Sequence, residues 1–171
     1  HIEVCQVVRN AKNQIENEKV FAAIRGVFAL QNSAKKDSRE DELRQRLRYI
    51  LSQLGMSGER GTQGIIDACC FVREHGGTVS SSGIRALCMA LCPDAPKATE
   101  QRMRRAIERS LRHIASLGLE DYTNEVFVRY ATHLFPFEEV RREMAAIQGR
   151  GRGGHVSVKT FLDGLMVLLD D

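Results

Sequence analysis

No apolar run in the sequence is long enough to cross a membrane, and no signal-peptide pattern precedes its first helix-like stretch. Net charge is scarce as well. With 25 Lys and Arg against 22 Asp and Glu, the chain carries only +3, which excludes a polycation; any affinity for nucleic acid must come from where the charge sits. There are five cysteines, Cys5, Cys69, Cys70, Cys88 and Cys92. The number is odd and the spacing suggests no disulfide framework, which suits free thiols in a reducing cytoplasm. Cys88 and Cys92 lie one helical turn apart, but no second close-spaced ligand pair accompanies them, so no metal is expected. Catalytic patterns are also missing. His1, His75, His113, His133 and His155 are scattered, no serine sits in G-x-S-x-G, and the Gly-rich turn Met56–Gly61 departs from the phosphate-loop pattern. No enzymatic chemistry and no cofactor is expected.

What is present is helical periodicity. Hydrophobic residues make up 43% and charged residues 27%, a globular balance, and no alternating strand pattern outlasts one or two residues. The fold class is all-α, a multi-helix bundle of as many as eight helices. Ile2 to about Gln31 reads as a long helix whose narrow seam of Val4, Val8, Ala11 and Ile15 steps by four, three and four; Phe21, Ile24 and Phe28 repeat that step. A narrow seam with polar flanks marks a two-helix contact. Dimerisation is the preferred reading, and packing on its own domain the other. A polar break over Asn32–Asp37 and a capping box at Ser38–Asp41 introduce a helix to Leu54, stopped by Gly55. Thr62 opens a helix, apolar nearly all round, to about His75, ended by Gly76-Gly77. Ser82 caps a short helix, Gly83 to Leu91. Beyond the arginine-rich stretch described next, helices are expected from Tyr122–Asn124 to Leu134, from Pro136 to Ile147 and from Thr160 to Leu169. Gly149–Gly154, G-R-G-R-G-G, reads as a flexible basic surface loop, with phosphate contact as its second reading.

The organising stretch is Thr99 to Leu117. Met103, Ile107, Leu111 and Ile114 form an apolar stripe, with Thr99 as N-cap and Gly118 as the stop. Arg102, Arg105, Arg109 and Arg112 fall on the opposite side. Lys97 to Arg112 holds six basic residues against Glu100 and Glu108, a local excess larger than the net charge of the chain. Glu100 and Glu108 flank Arg104 at i, i+4 spacing and occupy it; Arg102, Arg105 and Arg109 have no acidic residue four positions away. The face suits either solvent or a nucleic-acid backbone and guanine edge. A short helix, a turn and this helix have a helix-turn-helix order near residues 82–117, although Cys92–Ala98 makes the turn longer than the usual three or four residues.

These residues resemble a known family. Leu91-Cys92-Pro93-Asp94, followed by Thr99, Arg102, Arg105, Ala106 and Ile107, resembles the L-x-P-D and T-x-x-R-x-x-R-A-I motifs of the DNA-binding output domain of sporulation-type bacterial response regulators, with a shorter interval between them. Ile50-Leu51, Leu54-Gly55, Ser116–Tyr122 and Phe137–Arg141 look like the glutamine-related (YcbB-like) response regulators. His1-Ile2-Glu3-Val4 resembles the start of the last receiver helix. The resemblance implies a cytoplasmic transcription regulator that reads double-stranded DNA as a homodimer, together with a receiver that lies outside this sequence and is acted on by a sensor histidine kinase. It further implies that Arg102 and Arg105 face DNA. Helical geometry adds Gln101 and Arg109 to the face, and Lys97, Thr99 and Arg112 complete the candidate set. Residues 1–34 are then a linker and dimerisation helix through Val4, Val8, Ala11 and Ile15, and residues 35–171 the output domain. The competing function is a helical protein-interaction adaptor or an RNA-binding antiterminator.

Overall fold

The computed structural model describes residues 2–58, 60–76, 78–79 and 83–171. All regular structure among them is helical: α1 (Ile2–Gln53), α2 (Arg60–Glu74), α3 (Ile84–Leu91), α4 (Pro96–Glu120), α5 (Glu125–Leu134), α6 (Phe137–Ile147) and α7 (Val158–Asp170). Ser82, the expected cap of α3, and Gly77, expected at the end of α2, lie outside the described residues, as do His1 of the N-terminal motif and Glu59 of the Gly-rich turn. None of the described helices is long and apolar enough to cross a membrane.

The expected break at Asn32–Asp37 is absent: α1 runs through it, and Ser38 caps nothing. The reason is compositional. The segment contains no Gly or Pro, and Ala34, Lys35 and Lys36 are good helix formers, so its polarity does not interrupt the backbone. The chain divides into two compact units, His1–Glu42 and Leu43–Asp171. In the first, residues 2–39 are all exposed, including Val4, Val8 and Ile15 of the seam and Val20, Phe21, Ile24, Val27 and Phe28 beyond it.

The second unit has one core. Leu47, Ile50, Leu51 and Leu54 bury the face expected of them, and Gly55 takes the left-handed conformation that closes α1. Seven of the fifteen residues of α2 are buried, as its all-round apolarity predicts. The hub, however, is α4, which packs against α2, α3, α5, α6 and α7. Its stripe of Met103, Ala106, Ile107, Leu111, Ile114 and Ala115 is buried. Each large side chain there contributes about 1.5–3 kcal/mol relative to exposure, so burial of the inner face anchors α4 and its outer face carries the charge.

Both ends of α4 differ from expectation. The helix starts at Pro96, with Ala95 as its N-cap; proline is favoured in a first turn, where its missing N–H has no intrahelical partner to lose. Thr99 is therefore not the cap. It lies inside the helix, its hydroxyl donating to the Ala95 carbonyl at 3.0 Å. The turn between α3 and α4 shrinks accordingly to Cys92–Ala95. At the other end Gly118 does not stop the helix, which continues to Glu120. Gly118 is there to let α5 and α6 approach: a Cβ would come within 2.6 Å of Met144 Cε and closer still to the Phe127 ring. A helix begins where the pattern at Tyr122–Asn124 starts one, with Asn124 capping α5 by accepting from the N–H groups of Val126 and Phe127; α7 is capped by Ser157 and starts two residues earlier than its pattern suggests.

Candidate nucleic-acid interface

The outer face of α4 follows from its inner one. With Met103, Ile107, Ser110 and Ile114 directed inward, helical spacing leaves Gln101, Arg102, Arg105, Glu108, Arg109 and Arg112 outward, and all six are exposed. Lys97 is exposed in the first turn. Thr99 belongs elsewhere: besides its bond to Ala95, a Cβ on Gly64 of α2 would meet its methyl group at 4.0 Å, so it faces α2.

The arginines fall into two groups. Arg104 is engaged, pairing with Glu100 at 3.3 Å and donating to the Val156 carbonyl at 3.1 Å. Arg112 reaches Glu143 of α6 at 3.6 Å and remains well exposed. Arg102 and Arg105, by contrast, make no ion pair among the described residues. Exposed guanidinium groups without a carboxylate partner have no ion pair to break before meeting an anion.

Two features border this face. On one side the first turn of α2 presses on the Arg102 backbone, and a cleft of about 240 Å³ opens between α2, α3 and α4, lined by Arg60, Gln63, Cys92, Thr99 and Arg102 among others. On the other side the segment between α6 and α7 lies along α4, tied by the Arg104–Val156 bond and by Gly154, where a Cβ would approach Leu111 Cδ2 to 2.9 Å. The position of that segment could not be read from sequence, which shows its basic character but not its neighbour.

The seam residues Val4, Val8, Ala11 and Ile15 lie in the other unit and are exposed there. The cysteines do not converge: no group of three or more possible metal ligands exists among the described residues. Burial pushes the Cys69 thiol up to about 12, with neighbouring Cys70 adding to the effect and Arg73 opposing it. Burial, then Glu100, pushes the Cys88 thiol up to about 11. Both are core side chains held in the unreactive thiol form.

Residues 46–165 match the YcbB domain family. The chain is also 30% identical over 172 aligned residues to the transcriptional regulatory protein GlnL of Bacillus subtilis (strain 168), an alignment that takes in 87% of this chain and 55% of that protein. The chain thus spans about half the length of that relative. No solved structure matches. The matched region contains α2 to α6 and most of α7, and with them every motif that carried the resemblance to YcbB-like regulators, apart from the N-terminal His1–Val4. On these grounds the chain belongs to the YcbB domain family.

Proposed function

We propose that the chain is a sequence-specific DNA-binding transcription regulator, the output part of a two-component response regulator, and that it inserts α4 into the major groove as a homodimer. The observation that carries this is the outer face of α4, where Gln101, Arg102, Arg105 and Arg109 are exposed on a helix locked into the core from behind. The four-residue turn from α3 to α4 falls within the usual helix-turn-helix length, which supports reading α3 and α4 as that motif. In this reading Arg102 and Arg105 contact guanine edges, with Gln101 and Arg109 beside them. Lys97 and Arg112 contact phosphates, and Thr99 holds α4 against α2. The relative's name, a transcriptional regulatory protein, supports the same reading and a non-enzymatic role.

Residues 1–34 supply the linker and dimer helix and residues 35–171 the output domain, with a sensor histidine kinase acting on a receiver outside this chain, all in the cytoplasm. The exposed seam of Val4, Val8, Ala11 and Ile15 supports a second copy of α1 as its partner. Sedimentation at high concentration tests this: a monomer unchanged by Val8→Glu or Ile15→Glu refutes the dimer.

The DNA reading is tested by selecting bound duplexes from a random pool and measuring mobility shifts on them. Guanine contacts are worth about 1–3 kcal/mol of discrimination each. Arg102→Ala with Arg105→Ala should therefore abolish most preference for the selected sequence over a shuffled one. Unchanged affinity and salt dependence would refute the assignment of α4.

A further inference from the structure

The segment between α6 and α7 was expected to be a loose basic turn, yet it is tethered at both ends. At its start, Gly149 N–H donates to the Ala146 carbonyl at 3.0 Å and Arg150 N–H to the Ala145 carbonyl at 2.7 Å. This is the paired closure that ends a helix around a left-handed residue, and Gly149 has φ +80°. At its end, Gly154 N–H donates to Glu143 Oε2 at 3.0 Å and His155 N–H to Glu139 Oε2 at 2.6 Å. Gly151 and Gly153 also have positive φ, +85° and +93°, a conformation that side-chain-bearing residues rarely adopt. The alternation of glycine with arginine is thus what the backbone path requires: glycines make the bends, and Arg150 and Arg152 occupy the positions between them. Both arginines are exposed.

The tether also fixes where those arginines stand. Glu143 holds Arg112 of α4 with one carboxylate oxygen and Gly154 with the other. The loop is therefore registered to the outer face of α4 through a shared carboxylate, and the Arg104–Val156 bond repeats the link about two turns away along the helix. Local acids do not cancel the charge. Residues 148–155 contain no Asp or Glu; Glu139 and Glu143 are largely buried and engaged by N–H groups and arginines, while Glu138 pairs with Arg142.

We propose that Gly149–Gly154 is a rigid phosphate-binding arm, in which Arg150 and Arg152 grip the DNA backbone beside the groove that α4 enters. The assignment rests on the DNA reading of α4 and adds to it a second, sequence-blind contact. Backbone contacts set register and affinity without reading bases, and each neutralised phosphate steepens the salt dependence by about 0.9 in log–log slope.

The test uses the full chain and two labelled duplexes, one recovered by selection and one with the same bases shuffled, with affinity measured across a range of salt. Arg150→Ala with Arg152→Ala should weaken both duplexes alike, roughly 10-fold, and lower the salt slope by about 2. Arg150→Lys with Arg152→Lys should recover most of the loss, because a phosphate accepts a point charge where a guanine edge requires the bidentate fork. Thermal unfolding of both variants should match the wild type, since neither side chain is buried. If the wild type binds the selected duplex but the alanine pair does so with unchanged affinity and slope, the arm is refuted while the α4 reading stands. A loss confined to the selected duplex, or one that lysine fails to recover, also overturns it, in favour of base contact. If the wild type binds neither duplex, the DNA reading fails and the arm fails with it.

Discussion

Replacing Gly61 by alanine should destabilise the second unit, against the usual sense of a glycine-to-alanine change in a helix. Gly61 is buried in the first turn of α2, and a Cβ there would lie 2.6 Å from the Arg102 carbonyl carbon, 2.9 Å from the Met103 nitrogen and closer still to the Arg102 oxygen. Those are backbone atoms of the central helix, so no rotamer change relieves the overlap; α2 must move away from α4. Helix propensity favours alanine by at most about 1 kcal/mol. Overpacking of a rigid site costs about 1–3 kcal/mol, and a clash with backbone belongs at the upper end. The net expectation is a loss of about 1–2 kcal/mol, or a fall of roughly 0.5–1 M in the urea midpoint. Gly58→Ala is the control: nothing lies within 4 Å of its added Cβ, and its effect should stay within about 0.5 kcal/mol. Gly26→Ala in α1, also with open space around it, should raise helicity, because there propensity acts alone. Urea titration followed by far-ultraviolet circular dichroism reads all three. A Gly61→Ala midpoint at or above that of Gly58→Ala would refute the close approach of α2 to α4, and with it the account of what holds Arg102 in place.

Three further outcomes follow from individual side chains. Ser110 is buried on α4 and its hydroxyl has no hydrogen-bond partner among the described residues, so Ser110→Ala should raise stability by about 1 kcal/mol, measured as an increased urea midpoint. The Thr123 hydroxyl and N–H both donate to the Asp121 carboxylate and hold its pKa below the usual carboxylate range. A lowered folded-state pKa stabilises above the unfolded value and is lost as pH falls through the folded one. Thr123→Val should therefore be less stable than wild type at neutral pH, with the gap closing in acid below the carboxylate range; a gap independent of pH would contradict this. A thiol reagent should modify exposed Cys5 at once in the native protein, and buried Cys69 and Cys88 only on unfolding, as mass mapping of the labelled sites would establish.

Local pattern accounts for much of what was legible in the residues. Periodicity of apolar side chains is set by the helix itself, so the all-α class, the buried face of Leu47–Leu54 and the stripe of α4 could be read directly. So could the start of a helix at Tyr122–Asn124, where the Asn124 side-chain oxygen accepts from N–H groups two and three residues on. Boundaries are less legible where only polarity, a proline or a glycine signals a break. Asn32–Asp37 is polar because it is exposed, and it is helical all the same. Pro96 looked like a terminator but stands where a helix can begin. Gly118 looked like a stop, and only the Phe127 ring and Met144 beside it reveal that the missing side chain makes room.

For the candidate interface, sequence alone determined the composition of the α4 face, because which residues share a side of a helix depends on spacing and on nothing distant. Tertiary structure decided which of those charges are engaged. Arg112 meets Glu143 from thirty-one positions away, and Arg104 reaches the Val156 carbonyl from fifty-two; no local rule anticipates either. It also brought G-R-G-R-G-G alongside α4, since a loop's neighbours are chosen by how the helices around it pack and not by its own residues.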